Sequence, residues 1–315
     1  MRQLWPKTIT APMANAIAKP CSYSRQAIGL FIYGICLFIL STRISANEPP
    51  ISTLTLGYAP ILSRPLVESR SKPLINYFKT QHQVDIQLVH STSFDDYLTN
   101  ALNHKFDLTI SQVNYAEAFH SELKFKPLVK SKRHFHLLVL KRKNDHSIHS
   151  LAELTNKTIG VPKDLSLISA LFSQTLKQHG IDATKQVNLV SYHRHDLLFL
   201  SLLRAEIDAA ITVEITLEMA TYIKSHLAVV HKIPAGPAVF SASPKINKKQ
   251  QQWLTKALLG FSQSPQGKTY LSSLSFDQLE TVNELEIRQF HRYALPLHEK
   301  LKKQTTNTTP PLLRQ

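Results

Sequence analysis

From Leu54 onward, short runs of β-type residues alternate with segments of helical period, and this alternation confines the chain to an α/β class with largely parallel sheets. The first strands are expected at 53–58, 84–90, 106–110 and 125–130. Helices fall between them at 65–81, where Leu66, Leu74, Ile75 and Phe78 share a face, and at 94–102 and 113–119. The stretch 134–141 reads as a strand with a continuous apolar centre, Leu137 to Leu140, and runs into the polar segment 141–150, a natural domain edge. A second unit follows, with strands at 158–161, 187–190, 209–213 and 228–231. Its helices are expected at 166–179, closed by Gly180, and at 196–204 and 214–226. After Ile233-Pro234-Ala235-Gly236-Pro237 comes a strand at 238–242, then helical segments at 247–263, 265–274 and 277–303. Two α/β units joined by crossings near 141 and 233 give a first lobe of residues 47–140 plus 234–303 and a second of 141–233, with 304–315 as a flexible tail.

The first 46 residues are set apart by composition. Five of the 37 lysines and arginines lie there (Arg2, Lys7, Lys19, Arg25 and Arg43) and none of the 22 acids. Residues 27–40 carry no charge and are followed by Ser45-Ala46, which is the pattern of a secretory signal cut after Ala46. An apolar run of this length is short for a bilayer, which takes about 20 residues, so a retained anchor is the alternative reading. Both cysteines, Cys21 and Cys36, fall in this leader. The remainder therefore offers no thiolate nucleophile, no Cys-ligated metal and no disulfide framework. A chain of 315 residues with 43% hydrophobic residues and a net charge of +15 can bury two proper cores. Outside the cytoplasm its positive charge meets anionic solutes and membrane surfaces, not nucleic acid.

Motifs exclude more than they assign. Six glycines follow the leader, and Gly267-Lys268-Thr269 is separated from Gly260 by six residues instead of four and stands behind a helix, which is the wrong spacing and context for a nucleotide-phosphate loop. There is no His-Glu-x-x-His and no Gly-x-Ser-x-Gly. The pairs His134/His136 and His193/His195 could each share a strand face, but no third ligand stands at a recognisable spacing, so no metal and no cofactor are expected. Residues 124–143 hold eight lysines and arginines and no acid. They read either as solvated flanks of a buried strand or as a docking face for an anionic partner.

The order of several short stretches resembles the solute-binding proteins of phosphate, phosphite and phosphonate ABC transporters. These stretches are Leu56-Gly57-Tyr58-Ala59-Pro60, Lys105 to Ile110, Ser150 to Leu154 ahead of Thr158-Ile159-Gly160-Val161, His195-Asp196, Arg204 to Ala210, Ile233 to Pro237, and the helix with Trp253. The resemblance implies the two-lobed type 2 periplasmic binding protein fold. It also implies a ligand held between the lobes by loops at the carboxyl ends of strands and by helix N-termini. On this chain the expected contacts are Tyr58, Ser93, Phe94, Gln112 and Asn114 from the first lobe, and Ser166, His195 and Glu214 from the second. Departures from the family are equally visible. Leu165-Ser166-Leu167-Ile168-Ser169 stands where phosphonate binders have a Ser-Thr-Ser-Gly run, Phe94 and Ser111 stand at tyrosine positions, and Gly236 replaces an acid. A smaller or more apolar ligand, or none, suits these loops as well as a phosphonate.

The expected role is that of an exported, non-enzymatic, monomeric protein that captures a small anionic solute for an ABC transporter permease. A membrane-tethered sensor or adaptor of the same fold, docking on a membrane receptor, is the alternative. His195, Asp196 and Ser166 are residue types that nucleophilic catalysis uses, but adjacency of His and Asp in sequence does not orient an imidazole, and no nucleophile motif accompanies them.

Overall fold

The computed structural model describes residues 51–163, 166–192 and 195–308. The leader with its apolar run, both cysteines and the expected cut after Ala46 lies outside them, as do His193 and the end of the tail.

Eleven strands among the described residues form two sheets. The first comprises β1 (Thr53–Tyr58), β2 (Asp85–Val89), β3 (Leu108–Gln112), β4 (Lys126–Ser131), β10 (Ala238–Ala242) and β11 (Leu279–Thr281), in the order β11-β4-β10-β3-β1-β2. The second comprises β5 (Phe135–Arg142), β6 (Thr158–Pro162), β7 (Asn188–Tyr192), β8 (Ala209–Val213) and β9 (Leu227–Gly236), in the order β7-β6-β8-β5-β9. Strands joined through helices pair in parallel, namely β2, β1 and β3 in one sheet and β7, β6 and β8 in the other. The strands next to the crossings are antiparallel to their neighbours: β10 to β3 and β4, and β5 to β8 and β9. The sheets are thus mixed instead of largely parallel: each takes in strands that arrive from or leave for the other half, and these run against the helix-joined strands they pair with.

The strand near residues 134–141 was expected to end the first lobe, yet β5 lies inside the second sheet, so the chain crosses at 132–134 and not near 141. Its sequence explains the placement. Leu137 and Val139 feed one core while Leu138 and Leu140 feed another, so β5 is buried on both faces, as suits a strand inside a sheet covered by helices above and below. At the return crossing Gly236 adopts φ 87, and a Cβ there would lie 2.8 Å from Val113 and Phe290, so no side chain fits at this position.

Helices α1 (Arg64–His82), α2 (Phe94–Leu102) and α3 (Val113–Leu123) connect the first sheet. Helices α4 (Ser166–Gln178), α5 (His195–Leu203), α6 (Glu214–Met219) and α7 (Thr221–Lys224) serve the second. The segment expected as one helix over 214–226 breaks at Ala220, whose backbone leaves the helical region at ψ 55. The C-terminal part contributes α8 (Lys248–Gln263), α9 (Pro265–Ser273), α10 (Glu284–Arg288) and α11 (His291–Thr308). A single helix over 277–303 does not form, because Leu279-Glu280-Thr281 pairs with the edge of β4.

Each sheet is covered on both faces. Leu54, Leu56, Phe240, Phe78 and Phe261 join the first sheet to α1 and α8, whereas Tyr97, Phe106 and Phe119 join its other face to α2, α3 and α11. In the second sheet Ile159 and Ile211 pack on Phe172 of α4, and Ala210 packs on Phe199 of α5. One device recurs in both sheets: Asp107 accepts a hydrogen bond from the Thr55 amide and Asp208 from the Thr158 amide, each at 2.8 Å. Helix α11 touches both halves, since Leu297 and Leu301 belong to the core of the first sheet and Tyr293 to that of the second.

Candidate ligand cleft

The carboxyl ends of β1, β3, β6, β7 and β8 open onto two adjoining spaces between the sheets. The larger, of about 610 Å³, has Pro60, Ile61 and Phe94 on one side and Lys163, Tyr192 and His195 on the other. The smaller, of about 90 Å³, is walled by Tyr58, Ser111 and Gln112 of the first half, by Phe135 and Glu214 of the second, and by Phe276. Ile61 and Leu62 border both. Helices α3 and α6 begin at this chamber from opposite halves, and neither has a side-chain cap on its first amides. Uncapped N–H groups at a helix start present positive partial charge, which suits an anion.

The expected contacts divide into three groups. His195, Phe94, Gln112 and Glu214 line the spaces. Tyr58 borders the chamber, but its hydroxyl is already engaged by Tyr270 Oη at 2.8 Å and Ser71 Oγ at 3.1 Å, and burial pushes its pKa up. Ser93 and Asn114 line neither space. Ser93 is exposed and its hydroxyl caps α2 by accepting from the Asp96 amide at 3.1 Å, a local bond available because Asp96 stands three residues on. Asn114 is wholly buried within the first turn of α3. Ser166 begins α4, and its side chain lies outside the described residues.

Three of these residues hold unpaired or perturbed polar groups. Both amide atoms of Gln112, at the chamber wall, and both of Asn114, in the interior behind it, are buried without a hydrogen-bond partner. Such groups cost about 1 to 3 kcal/mol and seldom persist without a purpose. His195 is half-buried against Phe199, and desolvation lowers its pKa to about 4, although the nearby Asp196 pulls the other way. A hydroxyl relay orients its ring. Thr216 Oγ1 donates to the Val213 carbonyl at 2.7 Å and so accepts from Thr212, whose oxygen in turn accepts from His195 Nδ1 at 3.0 Å. The relay places the proton of the neutral imidazole on Nδ1 and leaves Nε2 as an acceptor.

Glu214 is the anionic element of the chamber wall. Arg133 and His136 approach its carboxylate at 3.3 Å and Lys232 at 3.7 Å. Lys163 and Tyr192 also line the larger space, although the sequence reading passed over both. They immediately follow or end β6 and β7, so the rule that selected Gln112 and Glu214 would have selected them.

The basic segment 124–143 has a structural explanation. Lys126 pairs with Glu284, and Lys130 with Glu280 and Glu286 at 3.1 and 3.0 Å. Arg142 binds Asp145 at 3.0 Å and the carbonyls of Leu202 and Ile207 at 3.0 and 2.7 Å. Four of the eight cations of this run, Lys126, Lys130, Arg133 and Arg142, therefore face acids, three of them distant in sequence, which favours the reading of basic flanks around a buried strand over a docking face.

The family described as the periplasmic substrate-binding protein of phosphonate ABC transporters matches residues 56–286. No curated protein matches the sequence significantly. Among solved structures, the chain is similar to a binding-protein component of an ABC phosphonate transporter from Pseudomonas aeruginosa, at 12% identity over 82% of this chain and 99% of that one, with a TM-score of 0.61. It is also similar to PhnD1 from Prochlorococcus marinus in complex with methylphosphonate, at 14% identity over 79% and 99% of the two chains, TM-score 0.66. A Xanthomonas citri protein bound to ATP aligns at 16% identity over 82% and 100%, TM-score 0.58. At these identities the likeness establishes the fold, that of the type 2 periplasmic binding proteins.

Proposed function

Because this chain belongs to the family of periplasmic substrate-binding components of phosphonate ABC transporters, we propose that its cleft captures a small phosphonate with a short apolar substituent and presents it to a membrane permease. The carrying observation is the Gln112 side chain, buried and unpartnered at the wall of a chamber onto which uncapped helix starts open. An oxyanion supplies acceptors for the free amides and for the Gln112 NH2 group. The apolar wall of Ile61, Leu62, Phe135 and Phe276 takes a short alkyl group and disfavours a fully hydrated inorganic ion. His195 Nε2 accepts the acid proton of a monoanionic phosphonate, and Lys163 contributes positive charge at the same cleft. Binding draws the halves together by favouring the state in which both touch the ligand.

In this reading the protein acts by binding and not by turnover, and His195 is a recognition residue. The leader directs export and the folded part works in the periplasm as a monomer. Among the described residues no helix is long and apolar enough to cross a membrane.

The test is a thermal-shift panel of methylphosphonate, phosphite, phosphate, alkylsulfonates and short carboxylates. A ligand at about 100 times its Kd adds about 2.7 kcal/mol of stability, a rise of several degrees in Tm. Methylphosphonate is expected to give the largest shift. A panel without any shift, or one led by a carboxylate, would overturn the proposal.

A further inference from the structure

Away from the cleft, α3 and α11 meet through a cluster of carboxylates and imidazoles. Glu117 of α3 is 1% exposed, and its two oxygens face His291 Nδ1 at 2.8 Å and His298 Nε2 at 2.6 Å. The two imidazoles lie 4.8 Å apart between ring centres. One ligand atom from each of the three residues lies within 4.8 Å of the others, and among the described residues no other group of three metal-ligating side chains comes together in this way.

We infer that Glu117, His291 and His298 form a divalent-cation site of the zinc class, joining α11 to α3. Two neutral imidazoles and one carboxylate are a donor set that zinc takes at about 2.0 to 2.2 Å, and a tetrahedral ion at those distances holds its ligands about 3.3 Å apart. The Glu117–imidazole spacings of 2.6 and 2.8 Å need a small widening, and the widest separation in the set, within 4.8 Å, closes by a modest side-chain rotation of the exposed His291. His291 is 56% exposed, so the fourth position opens to solvent and to the ion's entry.

Outer partners are already in place. His298 Nδ1 donates to Glu122 at 2.7 Å, the carboxylate–imidazole arrangement that orients a metal-binding histidine and raises its basicity. Ser121 Oγ donates to Glu117 at 2.9 Å, and Lys302 lies 3.6 Å from Glu122. Burial works against the charge on Glu117, but hydrogen bonds from His291, His298 and Ser121 outweigh it and hold the carboxyl below its usual range, in the form a cation needs. A carboxylate oxygen only accepts, so in the metal-free protein His298 Nε2 and His291 Nδ1 each carry a hydrogen toward Glu117; on binding the cation His298 releases that proton and His291 shifts its own to Nε2, which leaves a lone pair on both nitrogens.

The site joins remote parts of the structure. Helix α11 spans both cores, and α3 begins at the ligand chamber, so the ion fixes the strap between the halves to the helix that opens on the ligand. This inference stands independently of the ligand proposed for the cleft.

The test is calorimetric titration of the chelator-treated full chain with zinc sulfate, run in two buffers of different ionisation heat. One saturable equivalent is expected, with release of about one proton and a rise in Tm. Glu122→Gln should weaken zinc about 10- to 100-fold. His291→Ala, which changes an exposed side chain and leaves the fold intact, should weaken it further. Absence of saturable one-to-one binding, or equal binding by wild type and His291→Ala, would overturn the assignment, and neither result depends on what the cleft binds.

Discussion

Acidification tests the environment assigned to His195. Its native pKa is about 4, against 6.5 for the free side chain, because the ring is packed on Phe199 and desolvated. The neutral form is thus the one the fold favours. Above the unfolded value the two states hold the same number of protons and the residue contributes nothing to the pH dependence. As the pH falls below it, the unfolded chain takes up a proton that the native ring refuses, and stability is lost until the native value is reached. Between about pH 8 and pH 5 these two values give a loss of about 2 kcal/mol from this one residue. Urea unfolding of wild type and His195→Gln across that range measures it. Burial also lowers the pKa of His82, His134 and His231, but they titrate alike in both proteins and cancel in the difference. The wild type should lose about 2 kcal/mol more than the variant. Parallel stability curves would mean that the ring is solvated and that the hydroxyl relay through Thr212 does not hold it neutral.

Two further substitutions probe the cleft and the core. Gln112→Leu removes two buried unpartnered polar atoms, so the ligand-free protein should gain about 1 to 3 kcal/mol in urea unfolding while calorimetry shows weakened binding of methylphosphonate; a less stable variant would show that Gln112 has partners. Gly57→Ala places a Cβ 2.5 Å from the Phe106 ring beneath β1, and should cost about 1 to 3 kcal/mol by overpacking, so wild-type stability in the same assay would contradict the packing described for this strand.

Most strands and helices were legible because their cause is local. The alternation of Leu54 and Leu56 in β1, the apolar run in β8 and the single-face pattern in α1 need only neighbours a few residues away. The misread elements are those whose cause lies elsewhere. β11 is three residues long and exists by pairing with β4, more than a hundred residues earlier. β5 is plainly a strand, but its sheet is decided by β8 and β9. At the candidate site, Gln112, His195 and Glu214 could be chosen because loops after strands face the cleft in this fold, and Lys163 could have been chosen likewise. Nothing local distinguishes Tyr58, whose hydroxyl is taken by Tyr270, or Asn114, which turns out to lie in the interior.

By itself, then, the amino-acid order determined the class of fold, the two-unit plan and the strand ends around which a ligand is held, since hydrophobic period and chain direction are properties of short segments. Tertiary structure alone decided which polar atoms are free and which are spent, that Lys126 and Lys130 of the basic run meet Glu280, Glu284 and Glu286, and that Glu117 meets two histidines 174 and 181 residues further along. Hydrogen bonds and ion pairs form between whatever groups packing brings within about 3 Å, and separation along the chain does not encode that proximity.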